Sequence, residues 1–233
     1  MRNNETITNR ELFISILKST RNGPIHKKII KNNAQIPTQE VDEALMTMAQ
    51  MDLIKLENEL VEASSVQRVK IAIETVKLGA DFERVCKTLD WIEFENIAAK
   101  AFEANNFKVR KRFRFKWEGK RREMDILGFK KPIVVCMGCK HWFHGWRKSA
   151  IINAVNSQVE RTSILAQAFP AIYKKIMKFE WNHATLIPVV LSLVPGPFKA
   201  HKRTPIVPIF QLQNFLSEVL AYINLLTRFQ VDL

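Results

Sequence analysis

The sequence predicts an α/β protein whose larger part is a mixed (α+β) sheet between helices, preceded by a small, mainly helical domain. From residue 90 onwards, amphipathic helical segments alternate with apolar strand-like segments in the order helix, three strands, helix, two strands, helix. Residues 1–62 instead show three short helical patterns and a hairpin. Residues 63–89 predict a helical connector, because no stretch there is rich in Gly, Ser or Pro.

The small domain is built from clear start and stop signals. Asn9 is positioned to cap a helix over 10–19, Asn22-Gly23-Pro24 breaks it, and further helices begin at Ile25 and Thr38. Strands over 53–56 and 60–62 then flank a polar turn. Three helices and a two-stranded ribbon in so short a segment look like a winged helix, a fold that usually reads DNA through its third helix.

The charges of this predicted winged helix leave its partner open. Its third helix carries Glu40, Asp42 and Glu43 and no Lys or Arg, so it would repel phosphates. Its second helix offers Lys27 and Lys28 as cations for DNA. The domain is therefore a candidate for DNA contact through those two lysines, or for contact with a protein partner.

Two capping boxes predict where the next helices begin. Ser64 with Gln67 has the spacing that opens the connector helix, and Asp90 with Glu93 has the spacing that opens a long amphipathic helix from Trp91 to about residue 105. Later in the chain, the pattern predicts a helix over 147–169, strands over 184–194 and 205–210, and a last helix over 211–229.

The strand over 107–117 shows the clearest alternation in the chain. Its odd positions are apolar except for Lys111, whereas every even position carries a cation. The even positions are Lys108, Arg110, Arg112, Arg114 and Lys116. Such a row repels itself unless it is solvated or meets an anion. We expect it to track phosphates, together with Arg121 and Arg122 at the start of the next strand, and a simply solvated face is the alternative.

Composition and charge support a polyanion as the partner. Of the 233 residues, 47% are hydrophobic, and the net charge is +13. Residues 1–62 contain 8 Lys and Arg against 9 Asp and Glu, so all the positive charge lies in the remainder, with 28 against 14. A basic domain of this size favours DNA as its partner. The absence of a long apolar run or a signal-peptide pattern predicts a cytoplasmic protein without membrane contact.

Two charged residues end neighbouring apolar strands. An acidic residue, Asp125 in the segment Arg122–Leu127, is predicted to end the first apolar strand. Lys140 follows 15 positions later, at the end of a second apolar strand that begins Ile133-Val134-Val135-Cys136. An ammonium group at the end of a buried strand is costly unless an anion lies near it. The sequence therefore predicts that the two side chains converge.

This pattern resembles the PD-(D/E)XK nuclease superfamily, with its restriction-endonuclease-like fold, over about residues 90–215. The resemblance, closest to archaeal Mrr-type and resolvase-like members, implies catalytic roles for Glu95, Asp125, Lys140 and Gln158. It implies Mg²⁺ or Mn²⁺ as cofactor, with Asp125 and Glu95 as metal ligands. Gly138 stands where the family carries a second acid. Glu95 is then the relocated ligand, with Glu123 as a weaker candidate.

The resemblance leaves two functions open. The first is a metal-dependent DNA endonuclease, for which a homodimer is a candidate assembly because nucleases of this fold often dimerise to cut both strands. The second is a degenerate nuclease fold that binds DNA, or regulates, without cutting it.

A zinc site is a rival interpretation of part of the same segment. Cys136, Cys139, His141 and His144 have a Cys-x-x-Cys and His-x-x-His spacing. In an extended strand, however, positions three apart point to opposite faces. The strand interpretation therefore favours buried packing as the role of both cysteines.

Overall fold

The structure is a computed structural model that describes residues 2–34, 36–140, 147–176, 181–193 and 195–233. The chain divides into two compact units, Met1–Asn96 and Ile97–Leu233. The predicted connector, residues 63–89, belongs to the first unit. None of the described helices is long and apolar enough to cross a membrane.

The first unit contains helices and one small antiparallel sheet. Its helices are α1 (Arg2–Ser19), α2 (Lys27–Ala34), α3 (Thr38–Gln50), α4 (Ser65–Lys77) and α5 (Phe82–Cys86), and its strands are β1 (Ile25–His26), β2 (Lys55–Glu57) and β3 (Leu60–Glu62). The strand order is β1-β3-β2. The predicted hairpin is confirmed as β2 and β3, and the winged helix as a whole stays a prediction.

The two predicted capping boxes are confirmed. The Ser64 hydroxyl accepts a hydrogen bond from the backbone N–H of Gln67, whose side chain accepts from the backbone N–H of Ser64. Asp90 and Glu93 exchange the same pair of bonds, each 2.8 Å long, at the start of the next helix. Each box satisfies backbone donors that a helix start otherwise leaves unpaired.

The second unit is a mixed sheet covered by helices, so the predicted α+β class is confirmed. Helix α6 (Trp91–Ala104) begins in the first unit and ends in the second. The other elements are β4 (Lys108–Trp117), β5 (Lys120–Lys130), β6 (Ile133–Lys140), α7 (Lys148–Ile176), β7 (His183–Ser192), β8 (Ala200–His201), β9 (Thr204–Pro208), α8 (Leu212–Glu218) and β10 (Phe229–Asp232). The strand order is β4-β5-β6-β7-β9-β8, and β10 pairs with β7. Strands β4, β5 and β6 are antiparallel, whereas β6, β7 and β9 run parallel.

Helix α7 covers one face of this sheet and closes its main core. Leu165 and Phe169 on the helix pack with Leu127, Cys136 and Leu186 on three neighbouring strands. All five side chains are almost fully buried. Burial of this kind stabilises the sheet by roughly 1.5–3 kcal/mol for each large apolar side chain.

The predicted last helix, residues 211–229, is wrong over most of its length. The chain forms only the short helix α8 and then returns as strand β10, antiparallel to β7. Phe229, Val231 and Leu233 alternate along this end and pack against the core on α7. This period of two belongs to a strand, and it follows a helical pattern too closely for the boundary to be visible in the sequence.

Candidate nucleic-acid surface and the Asp125 site

Strands β4 and β5 form a long hairpin at the edge of the large sheet. Their turn is Glu118-Gly119, and both residues have positive φ, 48° and 76°. This is the two-residue turn whose twist matches antiparallel strands. Among the described residues, β4 pairs only with β5. The predicted cationic strand is thus an edge strand whose outer side has no described neighbour.

The five predicted cations of β4 do not share one face, which corrects the predicted alternation. Arg112 adopts a left-handed φ of 50°. Before it, Arg110 lies directly opposite Leu127, and after it, Phe113 lies opposite Met124. Leu127, Met124 and Phe113 all belong to the core on α7. Since directly opposite residues point to the same face, the alternation reverses at Arg112.

This reversal assigns the cations to two faces. Lys108 and Arg110 lie on the α7 face, and the Arg110 guanidinium donates a 3.4 Å hydrogen bond to the carbonyl of Ile176 at the end of α7. Arg114 and Lys116 lie on the opposite face, where Lys116 pairs directly with Arg121. A left-handed residue other than Gly is uncommon, and nothing in the alternation of the sequence marks it.

The tip of the hairpin concentrates cations around one open pocket. Its lining consists of Arg114, Phe115, Lys116, Arg121, Arg122 and Glu123. Glu123 accepts a 2.6 Å hydrogen bond from Arg114. The salt bridges of the described residues include none with Lys116, Arg121 or Arg122. Lys116 and Arg121 share the face opposite α7, whereas Arg122 lies opposite Phe115 on the α7 face. The hairpin tip therefore presents three cations without a salt bridge to any described acid.

Of the two lysines in the first unit that the sequence predicts to contact DNA, Lys27 is paired with acids. Lys27 forms ion pairs with Glu59 at 2.6 Å and Asp42 at 3.4 Å. Lys31 reaches the same Asp42 at 2.7 Å. Hydrogen bonding to Glu59 raises the pKa of Lys27, and hydrogen bonding to Lys31 lowers the pKa of Asp42. Lys28 is exposed. Most of the positive charge of α2 is thus matched by acids of the same unit.

Asp125 lies in β5, where it bonds to the backbone of the neighbouring strand. Its Oδ2 atom accepts a 2.6 Å hydrogen bond from the backbone N–H of Cys139 in β6. Burial raises the pKa of the Asp125 carboxyl, and the Cys139 hydrogen bond and the charges of Arg161 and Lys140 oppose that rise. The convergence of the Asp125 and Lys140 side chains stays a prediction. The prediction that Asp125 ends a strand is wrong, because β5 runs from Lys120 to Lys130 and Asp125 lies in its middle.

Gln158 lies on α7 and is completely buried at the same site. Its amide nitrogen donates to the carbonyl of Cys136 at 2.7 Å and contacts the sulfur of Met124 at 3.2 Å. Its Oε1 atom is buried and has no hydrogen-bond partner among the described residues. Gln158 therefore links α7 to strands β5 and β6. The contacts of its Nε2 atom fix the orientation of the amide.

Gly138 lies in β6 against the Gln158 side chain. A Cβ atom built on Gly138 would lie 2.4 Å from Oε1 of Gln158 and 3.3 Å from an Nη atom of Arg161. Both distances are too short for an unaltered neighbour to accept a side chain. The position where the resembling family carries a second acid is thus filled by an amide and bordered by a guanidinium.

Arg161 is the residue of this site that the sequence interpretation missed. One of its Nη atoms donates a 3.4 Å hydrogen bond to the backbone carbonyl of Glu123, and its Nε atom is buried with no partner among the described residues. Arg161 follows Gln158 by three positions on a helix, so the two side chains lie on the same helix face. This spacing is the sequence signal that could have identified it.

Glu95, the predicted relocated ligand, is buried in helix α6. Its Oε1 atom accepts a 2.6 Å hydrogen bond from the indole nitrogen of Trp91 one turn earlier. Glu95 belongs to the first unit, whereas Asp125 belongs to the second. Its metal-ligand role stays a prediction.

The residues around Asp125 do not match the donor set that Mg²⁺ prefers. Mg²⁺ binds through oxygen ligands and usually through one or two carboxylates. In the part of the chain that the structure describes, no group of three or more His, Cys, Asp or Glu side chains could hold a metal ion. The charges that act on Asp125 are the cations Arg161 and Lys140, which oppose a divalent cation, and the carboxylate of Glu123, which is already paired with Arg114 at 2.6 Å.

The cysteines of β6 do not form a described zinc site either. Cys136 packs in the core on α7, and burial raises the pKa of its thiol well above its usual range. Cys139 is also buried and forms no disulfide within the described residues. The two other predicted ligands, His141 and His144, lie outside the described residues. Zinc binds thiolates, and burial disfavours that form of Cys136.

Comparisons with known proteins give little beyond the fold. No family model matches the chain. An uncharacterized protein of Archaeoglobus fulgidus is 28% identical over 133 residues, which cover 57% of this chain and 94% of that protein. The crystal structure of protein VC1899 from Vibrio cholerae aligns with a TM-score of 0.35 and 8% identity over 96% of this chain. The match covers 52% of VC1899, so this chain spans about half the length of that protein. The comparisons assign no function to the chain, and its class, an α+β protein of two units, comes from its own elements and contacts.

Proposed function

We propose that this protein binds nucleic acid, in the first place DNA, through the cationic tip of the β4–β5 hairpin, and that it does so without cutting the bound strand. The observation that carries the proposal is the cluster of Lys116, Arg121 and Arg122 around one open pocket, without an acid paired to any of them among the described residues. Lysine and arginine at this density neutralise phosphates and release counterions. A nucleic-acid backbone is the partner that fits this surface.

The distribution of charge between the units supports this location. Residues 1–96 contain 13 Lys and Arg against 15 Asp and Glu, whereas residues 97–233 contain 23 against 8. Within the first unit, Lys27 and Lys31 are paired with acids. The predicted winged helix is therefore proposed as a surface for a protein partner and as a minor contributor to DNA binding.

Edge protection is a second role for the same cations. Charged side chains, and lysines above all, discourage an exposed edge strand from pairing with another chain. This role requires cations along β4 alone. It does not account for Arg121 and Arg122, which lie on β5, the strand inside the hairpin.

The absence of cleavage follows from the Asp125 site. The amide of Gln158 occupies the space beside Gly138, and Arg161 places a cation where a second carboxylate would begin. Asp125 beside two cations, with Glu123 already paired to Arg114, is a poor site for a divalent metal ion. We therefore propose the degenerate form of the resembling nuclease fold, in which the basic surface is kept and the metal site is lost.

A metal-dependent DNA endonuclease is the second candidate function. It is supported by the electrostatic interaction of Lys140 with Asp125, the two residues to which the resemblance assigns catalytic roles. In this case Glu95 would supply the missing carboxylate, and a homodimer would cut both strands. Cleavage of branched, nicked, single-stranded or duplex DNA in Mg²⁺ or Mn²⁺ that is lost in Asp125→Ala would establish this function.

The experiment that tests the DNA surface compares two triple variants of the full chain. One replaces Lys116, Arg121 and Arg122 by Gln, and its matched control replaces three lysines of α2 by Gln. Those lysines are Lys27, Lys28 and Lys31. Fluorescence anisotropy with a labelled duplex at several salt concentrations gives the slope of log affinity against log salt. The hairpin variant should lose about 2.7 of that slope, at roughly 0.9 per phosphate contact.

The control variant should lose much less, because two of its three lysines are already paired with acids. Circular dichroism establishes that both variants remain folded. A control variant that loses the larger share of the slope would assign DNA binding to the first unit and contradict the proposal.

A further inference from the structure

The site around Asp125 contains more cationic donors than its own acids use. The side-chain hydrogen bond of Arg161 among the described residues is a single 3.4 Å contact with the Glu123 carbonyl. A guanidinium has five N–H donors. Its Nε atom is buried with no partner, although Arg161 as a whole is partly exposed. Arg161 therefore retains unused donors at a place that solvent reaches.

Lys140 brings a second cation to the same place. It ends β6 two positions after Gly138, so it points to the same face of the strand as the Gly138 position that Arg161 borders, and it is partly exposed. The salt bridges of the described residues include neither Lys140 nor Arg161. The Oδ2 atom of Asp125 already accepts a hydrogen bond from the backbone N–H of Cys139. Glu123 also acts on Asp125, but its carboxylate is paired with Arg114 at 2.6 Å. Two carboxylates thus face the three cations Arg114, Lys140 and Arg161, and the local balance stays positive.

The buried amide of Gln158 gives this place a fixed shape. Its Oε1 atom and an Nη atom of Arg161 both border Gly138, at 2.4 Å and 3.3 Å from where a Cβ would stand. The partial negative charge of an unpartnered amide oxygen favours a cation near it. The lack of a side chain at Gly138 allows Gln158 and Arg161 to occupy this position together.

We propose that Arg161 and Lys140 form a phosphate subsite that works without a divalent metal ion, in which the Arg161 guanidinium supplies the positive charge that a metal ion would otherwise bring. The ligand is one backbone phosphate of a nucleic acid. Arginine suits this role because its planar fork can donate two parallel hydrogen bonds to one phosphate. The subsite rests on the proposed nucleic-acid binding, and it extends that binding from the hairpin tip to the Asp125 site.

The test observes the Arg161 Nε–H group directly by ¹H–¹⁵N NMR of the full chain in EDTA. The signal is assigned by its loss in Arg161→Lys. Inorganic phosphate is the first probe, chloride at matched ionic strength is the control, and a short DNA duplex is the second probe. A saturable shift with phosphate and with duplex, but not with chloride, is expected. Lys140→Gln should weaken phosphate binding about tenfold, since hydrogen bonds to charged groups contribute roughly 1.5–3 kcal/mol.

Each outcome separates the subsite from the proposed function. No saturable shift with either probe, while anisotropy still detects DNA binding, would overturn the subsite and leave the hairpin surface intact. A shift with inorganic phosphate alone would overturn its assignment to nucleic acid. Loss of DNA binding in the hairpin variant with an unchanged Arg161 shift under phosphate would support the subsite as a separate feature. No DNA binding by the unaltered chain would overturn the proposed function itself.

Discussion

Strand β5 contributes to two regions of opposite character only three residues apart. At its start, Arg121 and Arg122 line an open pocket with Lys116 and have no acid paired to them among the described residues. Further along, Asp125 is largely buried, bonds to the backbone of β6, and lies near two cations. The first region costs the fold little and is available to a ligand. The second is built into the packing of α7 on the sheet.

This difference separates binding from cleavage. Surface cations can be kept or lost with small effects on stability, so a basic surface is easy to retain. A two-carboxylate metal site needs space for both acids, and here Gln158 occupies that space. Under the proposed function, the hairpin tip binds DNA while the packing at Gly138 leaves no space for a second metal-binding carboxylate.

The largest effect on stability is expected when a side chain is added at Gly138. Gly138→Ala should lower the free energy of unfolding by about 1–3 kcal/mol, because the added methyl group enters a packed site. Combining it with Gln158→Ala should remove most of that cost, since the obstructing amide is gone. A double-mutant cycle from urea unfolding measures the coupling. Independent, additive effects of the two changes would show that Gln158 does not fill the position.

The packing of Gln158 against Gly138 also changes what is expected when the missing carboxylate is restored at position 138. The sequence alone suggests that Gly138→Asp would gain Mg²⁺ affinity, because the strand already follows the family's path. The structure indicates instead that Gly138→Asp alone loses stability, because its Cβ would meet the Gln158 amide. Mg²⁺ titration by calorimetry of Gly138→Asp, alone and with Gln158→Ala, distinguishes the two. Tight Mg²⁺ binding by the single variant would contradict the structural account.

The next effect concerns the two faces of β4. Replacing Lys116 and Arg121 by Gln should reduce the salt dependence of DNA binding by about 1.8 in slope, at roughly 0.9 per phosphate contact. The matched change of Lys108 and Arg110 should have a smaller effect, because these residues lie on the opposite face. Anisotropy over a salt series measures both slopes. Equal losses would mean that bound DNA contacts both faces of the hairpin.

A smaller effect is expected from the charge of Asp125. Burial raises the pKa of this carboxyl, so the fold favours its protonated form. That stabilisation is present at low pH and is lost as the pH rises through the folded pKa. Asp125→Asn avoids the loss, and it should be more stable than the unaltered chain at pH 7 by up to about 1.4 kcal/mol per unit of pKa rise.

Thermal unfolding from pH 4 to pH 8 checks this prediction. The stability difference between Asp125→Asn and the unaltered chain should shrink as the pH falls towards 4. The Asn side chain can still accept the hydrogen bond from Cys139, so that contact is preserved. A variant that is less stable at pH 7 would indicate that the Asp125 charge is held by the fold, as in a working metal or ion-pair site.

The smallest effect is expected for the reactivity of the buried cysteine thiols. Burial raises the pKa of Cys86 to about 12, and it raises the pKa of Cys136 further still. Because the thiolate is the reactive form, both should resist a thiol reagent at pH 8 in the native protein and react after denaturation. Added Zn²⁺ should leave this reactivity unchanged. One zinc ion retained per chain through dialysis would instead support the Cys and His interpretation.

The parts of the fold that the sequence predicted are those with local signals. The capping boxes at Ser64 and Asp90 depend on residues three positions apart, and both are present in the structure. Lys140 ends strand β6 as predicted, whereas Asp125 lies in the middle of β5 and does not end it. In contrast, the reversal at Arg112 depends on one backbone angle, and strand β10 depends on packing against β7. The backbone angle leaves no periodic trace in the sequence, and the period of two in β10 follows a helical pattern too closely to be recognised.

The candidate site likewise combines features that the sequence predicted with features that it did not. The motif residues were visible from their types and order, whereas Arg161 and the closed space at Gly138 arise from how α7 lies on the sheet. A missing acid can be read from the sequence. Whether its place is vacant or filled is a property of packing, and only the positions of Gln158 and Arg161 decide it.

The most direct test of the central claim measures DNA binding and cleavage by the unaltered chain in the same samples, with Mg²⁺ or Mn²⁺ and with EDTA at constant ionic strength. Anisotropy gives the affinity, and denaturing gels of branched, nicked, single-stranded and duplex substrates give the products. The account predicts the same affinity in EDTA as with the metal ions, and intact strands throughout. Metal-dependent cleavage that disappears in Asp125→Ala would contradict it and establish the endonuclease.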